Sequence, residues 1–152
     1  MILDLSAGFR WMWDDRKRDD VVFLDIRRQT SPTVLADSRR LPFKDGTFEL
    51  ILFDPPHVNF GARSNMSRDF GHLTTAQIRD LLKGTFAESR RVAAKGAKMV
   101  FKWNDHDQRL ERVLEIARPW WLLMFGSCHR RNSRGATLWC MMEQAPEGGD
   151  GD

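Results

Sequence analysis

The feature that most constrains the fold is a series of short apolar runs, several of which end in an acidic or polar residue. Each run has four to seven residues and is bounded by turn-forming residues, as is typical of buried strands. The pattern therefore predicts seven strands, at residues 2–5, 21–26, 34–37, 48–53, 97–103, 121–125 and 136–142.

Two helical patterns lie among the later runs. From about residue 75 to residue 94 the apolar positions recur at helical spacing, and Lys95–Gly96 is a fitting stop. A second pattern covers about 107–117 and stops before Pro119. Because strands alternate with helices, we expect an α/β domain with a mostly parallel sheet. The last two strands, joined by residues 126–135, are expected to form an antiparallel pair at one end.

The connections between the first strands are short. A chain of 152 residues fits a single domain. Residues 6–20 leave room for only a short helix, and residues 27–33 for almost none. We therefore expect a pared-down domain at residues 1–143. Residues 144–152 are acidic and glycine-rich, and we expect them to form a disordered tail.

Composition restricts the chemistry and the surroundings of the chain. It has six Trp, ten Phe and no Tyr, so no tyrosyl nucleophile, acid or base is available. Its two cysteines show no CxxC spacing, so we expect them to be reduced in an intracellular, cytoplasmic location. No histidine or cysteine has a partner at metal-ligand spacing, so no metal is expected. No apolar stretch approaches ~20 residues, and no membrane span is expected.

The charge distribution favours a polyanionic partner. The chain has 24 basic and 21 acidic residues, and four of the acids lie in the last ten positions. The first 142 residues therefore hold 24 basic against 17 acidic residues, a net charge of +7, and 18 of the basic residues are Arg. Since Arg forks onto phosphates and stacks on bases, nucleic acid is the expected partner, with a merely solvated basic surface as the alternative.

Acidic residues stand at or near the ends of the first four predicted strands, namely Asp4, Asp25, Asp37 and Asp54. In an open parallel sheet, ligands bind outside the carboxyl ends of the strands. Asp25 can accept hydrogen bonds from a ribose diol, and Asp37 from the amino group of an adenine ring. A single acid at a strand end is more often a turn or cap former, but four in this order favour a binding site.

The fourth strand ends in Asp54-Pro55-Pro56-His57. Successive prolines fix φ and supply no N–H, so their carbonyls remain free to accept, and a carboxylate adds acceptors only. Such rigid acceptors suit an aromatic amine, whose lone pair is delocalised into the ring. Two hydrogen bonds to its protons favour the pyramidal form and direct the lone pair at an electrophile. The alternative is a rigid loop in which Asp54 caps a helix.

Together these segments resemble the class I S-adenosylmethionine (SAM) methyltransferases, over about residues 2–142. Residues 54–57 are similar to the [DNS]-P-P-[YFWH] signature of methyltransferases that act on adenine N6, cytosine N4 or glutamine. The likeness extends to small phage- or prophage-type enzymes through Arg10–Trp13, Arg39–Phe43 and Phe101–Asn104. It implies a pared-down, Rossmann-like class I methyltransferase fold, with a mostly parallel seven-stranded sheet and an antiparallel C-terminal strand.

The resemblance also implies roles for individual residues. SAM, which leaves as S-adenosylhomocysteine (SAH), would be bound by Asp4, Ser6, Ala7, Gly8, Asp25, Ile26, Asp37, Ser38 and Asp54. In this set the first four residues line the methionine part, Asp25 holds the ribose, Ile26 packs on adenine, and the pair at 37–38 reaches the adenine edge. The catalytic residues implied at the acceptor are Asp54, Pro55, Pro56 and His57, the last stacking on the target ring.

Six further basic or polar residues are candidate acceptor contacts, namely Lys102, Asn104, Arg63, Arg68, Arg130 and Arg131. The alternative for each is an ordinary strand-end or solvated side chain. His57 stands where the signature more often has Tyr, Phe or Trp, which affects the choice of acceptor more than the reaction. No target-recognition domain is visible, so the sequence gives little support for sequence selectivity, which a partner could supply. A homodimer or a recognition partner is compatible with the sequence.

The expected function is SAM-dependent methylation of the exocyclic amine of a nucleic-acid base. Adenine N6 in DNA is the favoured acceptor, in a bacterial or phage-infected cell, and the base must be flipped out or already unpaired. The alternatives are RNA, a small molecule or a protein amide as acceptor, and a non-catalytic SAM-fold binding subunit.

Overall fold

The computed structural model describes residues 1–56, 73–128 and 135–146. Its strands are β1 (Ile2–Asp4), β2 (Val21–Asp25), β3 (Val34–Leu35), β4 (Phe48–Phe53), β5 (Ala93–Asn104), β6 (Trp121–Cys128) and β7 (Thr137–Gln144). They form one sheet in the order β3-β2-β1-β4-β5-β7-β6. The pairs among β1 to β5 are parallel, and β7 is antiparallel to both β5 and β6. The mostly parallel α/β sheet with an antiparallel C-terminal strand is confirmed.

In the described residues, two α-helices connect the later strands, namely α1 (Thr75–Val92) and α2 (Leu110–Ala117). Thr74 and Gln77 form a reciprocal capping box at the start of α1, which satisfies two backbone donors that the helix leaves open. The helix ends two residues earlier than the sequence predicts, because Ala93 already pairs with Phe48 in the sheet. Lys95–Gly96, predicted as the helix stop, therefore lies inside β5.

Aromatic residues build the core between α1 and the sheet. Phe53, Phe86, Phe101 and Trp103 are all fully buried or nearly so. The indole of Trp121 donates to the Phe86 carbonyl at 3.2 Å, which ties β6 to the middle of α1. The connection from β1 to β2, where the sequence leaves room for a short helix, contains no α-helix, and the connection from β2 to β3 contains only a short 3₁₀ turn.

Neither helix of the described residues is both long enough and apolar enough to cross a membrane. At the C-terminal end, β7 reaches Gln144, whose side chain donates to the carbonyl of Ala94 at 2.7 Å. Most of the predicted tail, residues 147–152, lies outside the described residues.

Candidate functional site

A cavity of about 920 Å³ opens at the carboxyl ends of the parallel strands. Its wall is formed by the turn after β1, the residues that follow β2, β3 and β4, and the first half of α1. This size suits a small organic ligand or cofactor. The predicted cofactor-binding residues that border the cavity are Ser6, Ala7, Gly8, Asp25, Ile26, Asp37, Ser38 and Asp54. Among the predicted acceptor residues, Pro55, Pro56 and Lys102 border it as well.

Asp4, predicted to line the methionine part of SAM, does not border this cavity and is only 3% exposed. Its carboxylate accepts from the backbone N–H of Ser6 at 3.2 Å and from the indole N–H of Trp13 at 2.7 Å. Burial raises the pKa of Asp4 to about 6, the two hydrogen bonds oppose that rise, and the nearby carboxylates of Asp54 and Asp25 add to it. Asp4 therefore lies close enough to both of these carboxylates for their charges to disfavour its ionised form.

Gly8 turns the chain back after β1. Its φ of +52° lies in the left-handed region, which glycine adopts without a steric penalty. A Cβ at this position would lie 3.5 Å from the guanidinium of Arg27. The turn therefore brings bare backbone to the cavity wall, as expected for a segment that a ligand approaches closely.

Asp25 ends β2 and is 5% exposed. Its Oδ1 accepts from the backbone N–H of Arg27 at 2.8 Å and from Arg27 Nε at 3.1 Å. Its Oδ2 accepts from the N–H of Gly8 at 2.9 Å and from the Arg27 terminal nitrogen at 3.1 Å. The neighbouring Ile26 is apolar yet 65% exposed at the cavity wall, which is the surface that a flat ring could cover.

Asp37 is held in the same way by the residue two positions further on. The backbone N–H of Arg39 donates to its Oδ1 at 2.9 Å, and the guanidinium contacts both oxygens, one of them at 2.7 Å. These hydrogen bonds with Arg39 lower the pKa of the Asp37 carboxyl. Arg39 also donates to Asp80 at 2.7 Å, so a single guanidinium joins the segment after β3 to α1.

Ser38 turns its hydroxyl toward α1. The hydroxyl shares a 2.7 Å hydrogen bond with that of Thr85, and both residues are buried. Close by, the stem of Arg39 crosses the helix at Gly84, where a Cβ would lie only 2.9 Å from Arg39 Cγ. The Ser38 hydroxyl is thus already used in holding the helix, and its contact with adenine stays a prediction.

Asp54 follows β4 and is held from two sides. Its backbone N–H donates to the hydroxyl of Ser6 at 2.9 Å, which ties the Asp54-Pro55-Pro56 segment to the turn after β1. Its Oδ2 accepts from Lys102 Nζ at 2.6 Å. That ammonium also lies 5.5 Å from the centre of the Trp139 ring, a cation–π distance. Lys102, predicted as an acceptor contact, is therefore also the ionic partner of Asp54.

The remaining predicted acceptor contacts do not come together in the described residues. The amide of Asn104 donates to the Thr137 hydroxyl at 3.2 Å and accepts from the N–H of His106 at 3.0 Å, so it joins β5 to β7. Asn104 does not border the cavity formed by the described residues. The other predicted residues lie outside the described residues, namely His57, Arg63, Arg68, Arg130 and Arg131. Within the described residues, no acidic, His or Cys side chains cluster in a way that could hold a metal.

Sequence reasoning missed the two arginines that clasp strand-end acids. Arg27 and Arg39 each stand two residues after an aspartate, in the repeated pattern Asp-x-Arg-Arg at 25–28 and 37–40. A carboxylate readily accepts from the N–H two residues on, which places the side chain of that residue beside it. The repeat was a usable signal for both pairs. The bond from Trp13 to Asp4 had no comparable signal, because it depends on how the loop folds back.

No family model and no curated protein matches the chain, but solved structures share its fold. A Pyrococcus horikoshii protein matches with a TM-score of 0.68 and 15% identity, over 95% of this chain and 81% of that one. The Burkholderia thailandensis 1,6-didemethyltoxoflavin-N1-methyltransferase, bound to its substrate and SAH, matches with a TM-score of 0.62 and 10% identity, over 95% and 71%.

A 16S rRNA N2 methyltransferase of Thermus thermophilus, in complex with SAM and guanosine, matches with a TM-score of 0.59 and 18% identity. That match covers 96% of this chain and 35% of the other. The chain therefore has the fold of class I SAM-dependent methyltransferases, in agreement with the resemblance seen in the sequence. Proteins with this fold act on acceptors as different as a small heterocycle and ribosomal RNA, so the fold does not select the acceptor.

Proposed function

We propose that the chain binds SAM and transfers a methyl group to the exocyclic amine of a nucleic-acid base, with adenine N6 in DNA as the acceptor. The observation that carries the proposal is the position of Asp54-Pro55-Pro56, which follows β4 at the cavity and is tied to the turn after β1. Rigid acceptor groups therefore stand next to a cavity of cofactor size, in a fold shared with SAM-dependent methyltransferases.

The described residues fit SAM. Asp25 places a buried carboxylate at the edge where ligands bind in such sheets, and Ile26 offers an exposed apolar face for adenine. Gly8 allows close approach to the backbone. When bound, SAM supplies an electrophilic methyl group on a sulfonium cation.

At the acceptor end, the residues of the chain orient the amine. The Asp54 carboxylate and the Pro55 carbonyl supply acceptors for its two protons and direct the nitrogen lone pair toward the cavity. Ser6 and Lys102 restrain Asp54 from the backbone side and from the carboxylate side. The nitrogen gains the methyl group and loses one proton to solvent, and no covalent enzyme intermediate is required.

The charge of the chain supports a nucleic-acid partner. The +7 excess of the first 142 residues, mostly Arg, suits a nucleic-acid backbone. The basic residues proposed to grip it lie at 63, 68, 130 and 131, outside the described residues. Sequence selectivity is proposed to come from a second copy of the chain or a recognition partner, since the described residues form a single domain around one sheet.

The test is transfer of tritiated methyl from SAM to single- and double-stranded DNA and RNA, followed by digestion to nucleosides. Label in N6-methyladenine from DNA is expected from the wild type, and the Asp54→Asn variant should lose it. Asp19→Asn, a change at an exposed acid before β2, is the matched control and should keep full activity. Label in RNA alone would identify RNA, and not DNA, as the acceptor. Equal labelling by the Asp54→Asn variant, or labelling of no polymer by the wild type, would contradict the proposal.

A further inference from the structure

The carboxylate of Asp25 accepts four hydrogen bonds in this structure. Each oxygen receives one bond from a backbone N–H and one from the guanidinium of Arg27, at distances of 2.8 to 3.1 Å. An ionised carboxylate has about four lone-pair sites. All of its acceptor positions are therefore filled, and a ribose diol can bind Asp25 only by replacing some of these bonds.

The four bonds are not equally replaceable. The two backbone donors, Gly8 and Arg27, belong to the turns that follow β1 and β2, and they hold one oxygen each. The two guanidinium bonds come from a side chain that is 22% exposed and borders the cavity. When the guanidinium moves away, each oxygen keeps its backbone bond and regains one free acceptor position. Two free positions on one fixed carboxylate match the two donors of a cis-diol.

We propose that Arg27 is a specificity-determining residue of the nucleoside subsite, where its guanidinium competes with a ribose diol for Asp25. The inference rests on the proposed function, because it takes Asp25 to be the residue that holds the ribose. A nucleoside with both hydroxyls displaces the guanidinium into solvent. A nucleoside that lacks them leaves Arg27 in place.

This competition has an unusual consequence for selectivity. In the wild type, the bonds that a diol forms with Asp25 are offset by the ion pair that it breaks, whereas a dideoxy ligand breaks nothing. Without the guanidinium there is no ion pair to break, so ligands with a diol bind more tightly and ligands without one are unaffected. Arg27 therefore lowers the affinity for nucleosides with a diol and reduces the preference for them over nucleosides without one.

The experiment is isothermal titration calorimetry of the full chain with adenosine and with 2′,3′-dideoxyadenosine. Both ligands are neutral, so loss of a positive charge does not by itself change their attraction to the site. The variant is Arg27→Met, which keeps the length of the stem. The matched control is Arg28→Met, because the exposed side chain of Arg28 forms no hydrogen bond or ion pair within the described residues.

Adenosine should bind Arg27→Met about fivefold more tightly than the wild type, the worth of one partly exposed ion pair. Dideoxyadenosine should bind both proteins within a factor of about two, Arg28→Met should match the wild type with either ligand, and Arg27→Lys should fall between. The inference is overturned if Arg27→Met binds adenosine no more tightly than the wild type, or if dideoxyadenosine gains as much.

SAH separates this inference from the proposed function, and thermal unfolding of each variant confirms that it is folded. If SAH binds the wild type and Arg27→Met fails to gain for adenosine, only the role of Arg27 is wrong. If SAH binds neither the wild type nor any folded variant, SAM binding itself is wrong and both proposals fail.

Discussion

The ammonium of Lys102 lies 2.6 Å from the carboxylate of Asp54, and the register of two neighbouring strands brings the residues together. Phe53 stands opposite Phe101 in the parallel pair of β4 and β5, so the next residue of each strand reaches the same point of the carboxyl edge. The side chain of Asp54 is 20% exposed and that of Lys102 is 24% exposed. The ion pair therefore holds the carboxylate at the place where we propose that the acceptor amine binds.

Replacing Lys102 by Met should destabilise the protein and impair methyl transfer. The variant keeps the stem against Trp139 but removes the ammonium from Asp54, near the buried Asp4. We expect the free energy of unfolding near neutral pH to fall by about 1 kcal/mol, because the pair is only partly buried. Urea unfolding measures this change. Labelling from tritiated SAM should fall at least about tenfold, as a misplaced catalytic group requires.

A matched control lies on the same strand. Lys98 forms an exposed pair with Glu143 at 3.5 Å, so Lys98→Met should change the free energy of unfolding by less than about 0.5 kcal/mol and leave labelling intact. Lys102→Arg, which keeps the charge, should restore part of the lost activity. If Lys102→Met is as stable and as active as Lys98→Met, the pair has no role in holding Asp54.

The stability of the protein should depend on pH through Asp4. Burial raises its pKa from 3.8 to about 6, so between those values the folded protein binds more protons at Asp4 than the unfolded chain does. Its contribution to the free energy of unfolding therefore falls as pH rises through that window and is flat above it. The total change amounts to about 3 kcal/mol for a shift of this size.

Asp4→Asn removes that dependence, since an amide does not titrate. Urea unfolding of the wild type and the variant across this pH range should show the variant gaining stability relative to the wild type as pH rises. The difference should stop changing above the raised pKa. A difference that stays constant from acidic to neutral pH would show that Asp4 titrates at its ordinary value when folded.

The strands and the strand-end acids could be predicted from the sequence because both are local. A short apolar run bounded by turn residues is a property of a few neighbouring positions, and so is the acid that follows it. The bond from Arg27 to Asp25 is also local, because the two residues are two positions apart and share one turn. Local patterns were therefore sufficient to predict that Asp4, Asp25, Asp37 and Asp54 lie at the carboxyl edge of the sheet.

Contacts that depend on strand register were not predictable. The sequence contains no signal for which residues of β4 and β5 stand opposite one another, so Lys102 was predicted as an acceptor contact and its bond to Asp54 was not foreseen. The position of β7 between β5 and β6 is non-local for the same reason, and it brings Thr137 to the side-chain nitrogen of Asn104.

Trp13→Phe should destabilise the protein through the lost hydrogen bond to Asp4. The indole N–H donates to Asp4 at 2.7 Å, and the ring packs edge-on against Phe23 with centroids 5.6 Å apart. Phenylalanine keeps an aromatic ring but removes the donor, so the buried carboxylate loses one of its two hydrogen bonds. We expect a loss of about 1–2 kcal/mol in the free energy of unfolding near neutral pH.

The Asp4→Asn background shows whether that loss comes from the hydrogen bond. In this background residue 4 is uncharged, and the same Trp13→Phe change should lower the free energy of unfolding by clearly less. The reason is that a buried neutral acceptor loses less free energy than a buried charged one when its hydrogen bond is removed. Equal losses in both backgrounds would assign the effect to packing of the ring and contradict the role given to the indole N–H.

Gly84→Ala should reverse the usual preference of a helix for alanine. Inside α1, alanine is ordinarily favoured over glycine by about 1 kcal/mol. Here its Cβ would lie 2.9 Å from Arg39 Cγ and 3.1 Å from Arg39 Cβ, so the stem that links Asp37 to Asp80 must shift. We expect the free energy of unfolding to fall in the wild-type background.

In the Arg39→Ala background, which removes the nearest of these contacts, the same change should be neutral or stabilising. A double-mutant cycle by urea unfolding measures both, and an equal gain in the two backgrounds would show that Arg39 does not press on the helix at this glycine.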